Sequence, residues 1–192
     1  MPTSPCPPSY GHPRQNGASM LEVLVSIVVV AIGLLGLAGL QVKMQSADME
    51  AYQRTQAVML LQDMADRIGV NRLNIADYAS QSLGNGGSPP TCDSSSSRAD
   101  QDLCEWHDTL LGATETLSSG TAKTGAMIGA RGCTSSVTTN ATTGFQEITV
   151  SVAWQGQSAS ATPSATCGQN AYSPSDAYRR VISTTVTIGK LN

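Results

Sequence analysis

The sequence predicts an α+β fold: one long amino-terminal helix followed by a small antiparallel sheet, stabilised by disulfides. Three observations carry that prediction. No proline interrupts the chain between Arg14 and Pro89, so nothing in that stretch removes a helical hydrogen bond. Residues 145–154 alternate in polarity, with Ile148, Val150, Val152 and Trp154 on one face and Glu147, Thr149 and Ser151 on the other, the period of a half-buried strand. Ile182, Thr184, Val186 and Ile188 repeat the alternation near the carboxyl end. A helix followed by strands, not interleaved with them, is the α+β order.

The helix begins with an uncharged run of twenty residues, 23–42. At about 1.5 Å per residue it is about 30 Å long, the thickness of a bilayer hydrocarbon core. It exceeds the roughly 7 to 15 residues of a secretory h-region, and no small-residue cleavage site follows it, so it is expected to remain in the mature chain. Glu22 stands at its margin among Met20, Leu21, Val23 and Leu24. A carboxylate at mid-bilayer costs roughly 3 kcal/mol, which favours either a headgroup position or a partner. Gly33, Gly36 and Gly39 serve close helix packing or local melting, or reflect the tolerance of membrane helices for glycine. Beyond Lys43 the composition turns mixed, and Met44, Ala47, Ala51, Val58, Leu61, Ala65 and Ile68 form a stripe at helical spacing. That stripe is expected to face a domain, in a helix over 18–73 about 80 Å long.

The second half is lean, with aromatic residues at 4% and charged residues at 13%, so any core is small and aliphatic. Residues 78–98, with GNGGSPP and four consecutive serines, read as a surface loop. Ser97 is placed to cap a short helix whose apolar stripe is Ala99, Leu103, Trp106 and Leu110. Asp100, Asp102, Glu105 and Asp108 are expected to form its solvated face. A strand within 127–137 is expected to pair with 145–154 through a turn at 139–144. The most economical disulfides are Cys92 to Cys104 and Cys133 to Cys167, worth roughly 3 and 4 kcal/mol by loop closure. Four cysteines permit three pairings, and all three stay open at this stage.

Several chemistries find no support. The net charge of −3 offers no basic face for phosphates, so nucleic acid is not an expected partner. The cysteines form no CxxC pair near a histidine, which argues against zinc or any other metal site. His107, three residues after Cys104, could approach it on a helix, but no motif supplies an orienting acid or oxyanion site. No P-loop, dinucleotide-binding glycine pattern, HExxH or EF-hand loop occurs. The expectation is a non-enzymatic protein without a cofactor.

The segment Gly17-Ala18-Ser19-Met20-Leu21-Glu22 resembles the type IV prepilin processing motif, and the whole run 17–41 (GASMLEVLVSIVVVAIGLLGLAGLQ) is similar to minor pilins of the PilV type, the type IV pilus modification proteins. The resemblance implies peptidase cleavage between Gly17 and Ala18, N-methylation at Ala18, and an assembly role for Glu22. The family usually begins its mature chain with Phe, where this chain has Ala18. Removal of residues 1–17 would take Cys6 with it and leave an even number of cysteines, suited to an oxidising compartment. The implied organisation is a leader over 1–17, a transmembrane or filament-core helix over 18–42, its amphipathic continuation over 43–76, and a globular pilin domain over 77–192.

The implied function is initiation or assembly of a type IV pilus, and hence adhesion or twitching motility. The implied partners are other minor pilins, the major pilin, the prepilin peptidase, the inner-membrane assembly platform and the lipid bilayer. The chain would span the inner membrane once, with its carboxyl-terminal domain periplasmic, before reaching the pilus and cell surface. A minor pseudopilin of type II secretion shares the motif and architecture, and loss of secretion rather than of piliation on deletion would distinguish it. A periplasmic binding or catalytic domain on an uncleaved anchor is the reading from another class. In a bacterial protein, which the resemblance implies, the sequon at Asn140 is coincidental. The Arg179-Arg180 pair is expected to gate a strand edge rather than to meet an acidic neighbour.

Overall fold

The computed structural model describes residues 17, 19–112 and 127–189. The leader with Cys6, and Ala18, lie outside the described residues. The chain divides into two compact units, Met1–Gln45 and Ser46–Asn192. Helix α1 runs Met20–Val70 and passes from the first unit into the second. In the first unit every described residue of the helix is exposed. A cylinder of Val, Ile, Leu and Gly left uncovered by the described residues is what a hydrocarbon environment or a bundle of similar helices would cover.

In the second unit α1 turns a narrow face inward, made by Gln53, Ala57, Leu61, Met64 and Ile68, all buried. This corrects the expected stripe. Leu61 and Ile68 belong to it, but Met44, Ala47, Ala51 and Val58 are exposed and Ala65 is only half-buried. The observed face steps by 4, 4, 3 and 4 residues. A polar Gln53 occupies one of its positions and an apolar Val58 lies beside it, so hydrophobicity alone misjudged the rotation. The α-helix ends at Val70, and a kinked 3-10 segment, Arg72–Tyr78, follows with Ile75 and Tyr78 buried.

The sheet has five strands: β1 (Ser82–Gly84), β2 (Arg131–Thr134), β3 (Thr138–Thr139), β4 (Gln146–Gln155) and β5 (Arg179–Ile188). All pairings are antiparallel and β4 is the hub. It pairs with β2 and β3 along one edge and with β5 over ten register positions along the other, while β1 pairs outside β2. The turn between β3 and β4 is held by Asn140, whose backbone N–H donates to Phe145 O and whose Oδ1 accepts from Thr142 N and Thr143 N. Strand β1 lies within the stretch expected to be loop. Three residues with one buried leucine are too short to show an alternation.

Helix α2, Arg98–Leu110, starts at Ser97, whose side chain accepts from Asp100 N at 3.1 Å. Its Ala99, Leu103, Trp106 and Leu110 join Ile148, Val150, Val152 and Trp154 of β4 and the inner face of α1 in one apolar cluster. Trp106 is fully buried and donates its indole N–H to Leu60 O at 2.9 Å, which ties α2 to α1. Gly132 lies under this ring, and a Cβ there would press against Trp106 and Leu110. Gly84 sits at φ 81 and donates its N–H to His107 Nδ1 at 3.0 Å. A residue with a Cβ would be strained in that conformation.

The opposite face of the sheet carries the loop over 156–178. Ala153, Cys167 and Tyr172 form a second small cluster there. Disulfides join Cys92 to Cys104 and Cys133 to Cys167, with Cα separations of 5.9 and 5.8 Å. The second fastens the loop to β2. Arg179 holds the loop from β5: it is 1% exposed, and its guanidinium donates to the carbonyls of Pro163, Ala165 and Cys167 and, through Nε and Nη2, to both oxygens of Asp176. Arg180 pairs with Glu50 on α1 at 2.7 Å. Both arginines therefore meet an acidic partner, against the expectation that they only gate an edge.

Asp102 is a second correction. It was expected on a solvated face, yet its side chain is 1% exposed. It accepts from Tyr78 Oη at 2.6 Å, from Arg67 Nη1 at 3.2 Å, and pairs with Arg98 Nη2 at 2.8 Å. Truncating it leaves the buried Tyr78 hydroxyl without its acceptor and two guanidinium groups without this partner. Asp102→Ala is expected to lower unfolding free energy by about 3 kcal/mol, read as a reduced urea midpoint of the full chain in detergent.

Candidate functional site, the amino-terminal segment

The site is built from the first turn of α1. Ser19 O accepts from Glu22 N at 3.0 Å and Val23 N at 3.2 Å, and Ser19 Oγ lies 3.4 Å from Glu22 N. A serine immediately before a helix satisfies orphan N–H groups in this way. Glu22 lies in that first turn, where a carboxylate also complements the positive end of the helix dipole. One turn on, Ser26 Oγ donates to Glu22 O at 2.7 Å, so a polar hydroxyl in an apolar run is satisfied by backbone.

Glu22 is exposed and makes no ion pair among the described residues. Its neighbours are also open: Met20 is 93% and Leu21 75% exposed. Gly17 is exposed, with open space where a side chain would be. A peptidase that cuts the bond after Gly17 needs that residue accessible. The second half of that bond, Ala18, lies outside the described residues. Gly33, Gly36 and Gly39 likewise have no described residue within 4 Å of a built Cβ.

The globular unit provides a contrast. Cys104 is bonded to Cys92, so its sulfur is not a thiolate for His107 to activate. His107 Nδ1 accepts from Gly84 N, which gives the ring a structural task. Among the described residues no group of three or more His, Cys, Asp and Glu is placed to hold a metal ion.

Two stretches of the chain match family models and adjoin one another. Residues 12–38 match the prokaryotic N-terminal methylation motif, and residues 39–106 match the model described as type IV pilin Tt1218. These matches support a type IV pilin. The first match contains Gly17, Ala18, Glu22 and most of the exposed apolar helix. The second contains the rest of α1, strand β1, the Cys92–Cys104 bond and most of α2. No curated protein and no solved structure matches the chain. Sequence reasoning missed the part of Ser19 in holding the first turn. The serine three residues before Glu22 was the available signal.

The globular unit carries shifted groups that make its stability depend on pH. Arg179 holds the Asp176 carboxyl below the ordinary carboxylate range. Burial pushes the Tyr172 phenol up to about 12, and burial followed by the bond to Asp102 raises Tyr78 as well. A phenol that keeps its proton better when folded contributes stability in full below its unfolded value. That contribution is lost as pH rises from the unfolded value near 10 towards the folded one. The urea midpoint is therefore expected to fall above about pH 10, and Tyr172→Phe is expected to make that fall shallower.

Proposed function

We propose that this type IV pilin is a minor pilin of the PilV type, which takes part in initiating or assembling the pilus and so in adhesion or twitching motility. Its role is structural and not catalytic. It is inserted once in the inner membrane with the carboxyl-terminal domain in the periplasm, is cut between Gly17 and Ala18, and passes with other minor pilins and the major pilin into the filament. Prepilin peptidase and the assembly platform act on it along that route.

The observation that carries this reading is the coincidence, within the match to the methylation motif, of an accessible Gly17, an unpaired Glu22 and an apolar helix left uncovered by the described residues. Cleavage would create an ammonium at Ala18 four residues before Glu22. A carboxylate and an amine then become available on each subunit. Pairing them between neighbours offsets the cost of carrying either charge into an apolar environment. N-methylation at Ala18 would keep that cation. The exposed glycines let neighbouring helices approach closely.

Mass spectrometry of the amino terminus in cells with and without prepilin peptidase tests the processing step. The mature chain is expected to begin at Ala18 only when the peptidase is present; a wild-type chain retaining residues 1–17 would sink the reading. Glu22→Ala is expected to leave membrane insertion intact and to reduce recovery of the subunit in sheared filaments by about tenfold, the loss of one charged pair. Equal recovery of variant and wild type would remove the assembly role of Glu22.

A further inference from the structure

Strand β5 ends the sheet on one side. Its register with β4 is antiparallel and unbroken over ten positions, and among the described residues it pairs with no other strand. Which of its backbone groups are left over follows from Thr149 of β4, the register partner of Thr185. Thr149 N donates to Ser135 Oγ and Thr149 O accepts from Ser135 N, both at 2.9 Å, so Thr149 turns its backbone away from β5. In an antiparallel ladder that direction alternates from residue to residue. Ile148 and Val150 therefore bond to Val186 and Thr184, while Val181, Ser183, Thr185 and Thr187 aim their N–H and C=O groups out of the sheet.

Sheet edges are commonly blunted by charge, proline, a bulge or a short strand. Over 181–188 none of these occurs. The segment VISTTVTI has no charged residue, glycine or proline, and seven of its eight residues are β-branched, a composition that pairs readily as strand. The arginines that begin β5 are engaged elsewhere, Arg179 with Asp176 and Arg180 with Glu50. The core is also unfinished at this edge. Ile182, Val186 and Ile188 pack on the main apolar cluster yet stay only half-buried, as inner-face residues do where a sheet lacks a further strand.

We propose that an extended segment of a neighbouring pilin subunit lies along this edge as an added strand. The proposal rests on the reading of the chain as a filament subunit. Donors and acceptors that recur at every second residue, about 6.8 Å apart, are matched as a row by an extended peptide backbone. That chemistry selects the kind of occupant. The uncharged edge further favours an uncharged segment with apolar residues at alternate positions, set beside Ile182, Val186 and Ile188. In a filament the adjoining subunit holds such a segment at high effective concentration.

The test places the photoreactive residue benzoylphenylalanine at position 187, where Thr187 is exposed and its side chain makes no hydrogen bond among the described residues. The full chain is expressed in its own cells. Irradiated and sheared filaments are expected to contain an adduct to one short segment of another pilin subunit, identified by peptide mass spectrometry. Thr185→Pro removes an outward N–H and spares the ladder to β4, whereas Thr185→Ala keeps that N–H. Added to the probe chain, the proline is expected to lower the adduct about tenfold below the alanine, the loss of one backbone hydrogen bond. Equal urea midpoints in detergent show that both fold, and Ser183→Pro against Ser183→Ala repeats the comparison at a second outward position. Equal adduct yields from proline and alanine overturn the proposal. A processed, assembled subunit whose probe reacts with nothing, with its own chain or with a protein that is not a pilin overturns it and leaves the pilin reading standing. A wild-type chain that never enters filaments refutes the underlying reading, and this inference with it.

Discussion

One buried carboxylate ties together three elements that also share the apolar core. Asp102 on α2 receives a phenol from the 3-10 segment, a guanidinium from α1 and another from its own helix. Arg67 extends the network to Asp63 and Glu105. Burial alone would lower the Arg67 pKa, but its bonds to Glu105, Asp63 and Asp102 outweigh that and raise it. In a chain that is 4% aromatic, such a charge network adds a fixed polar contact between α2 and α1. The apolar core can then close around one large anchor, Trp106. The isolated worth of each pair is small, but leaving any one donor unpartnered is costly.

Much of this fold is legible in the sequence because its periods are clean. Strand β4 declares itself by alternation, and α2 by a serine cap and a four-three-four stripe. What was hidden has a common cause: tertiary partners reassign residues that local pattern would put in water. Asp102 reads as solvated because three other carboxylates share its helix, and only the approach of Arg67 and Tyr78 makes its burial affordable. Gln53 reads as surface and Val58 as core, and the actual rotation of α1 reverses them. Arg179 and Arg180 read as an exposed pair because the acidic groups they meet include one 130 residues away in sequence.

The amino-terminal site is the opposite case. Its meaning sits in contiguous residues, Gly17 through Glu22 and the run behind them, so pattern alone locates it. The structure adds the accessibility of Gly17 and the way Ser19 and Ser26 absorb the local polar groups, leaving the Glu22 carboxylate as the outstanding charge.

The loop over 156–178 shows how such a domain can change its outer surface without changing its frame. Arg179 holds that loop through three backbone carbonyls, one aspartate and the neighbouring disulfide, so most of what it grips is peptide oxygen, which every residue possesses. Apart from Cys167, Tyr172 and Asp176, side chains along the loop are thereby released from much of that duty. Substitution at those other positions is constrained by path more than by identity, which gives this face room to diversify under selection while the sheet beneath it stays fixed.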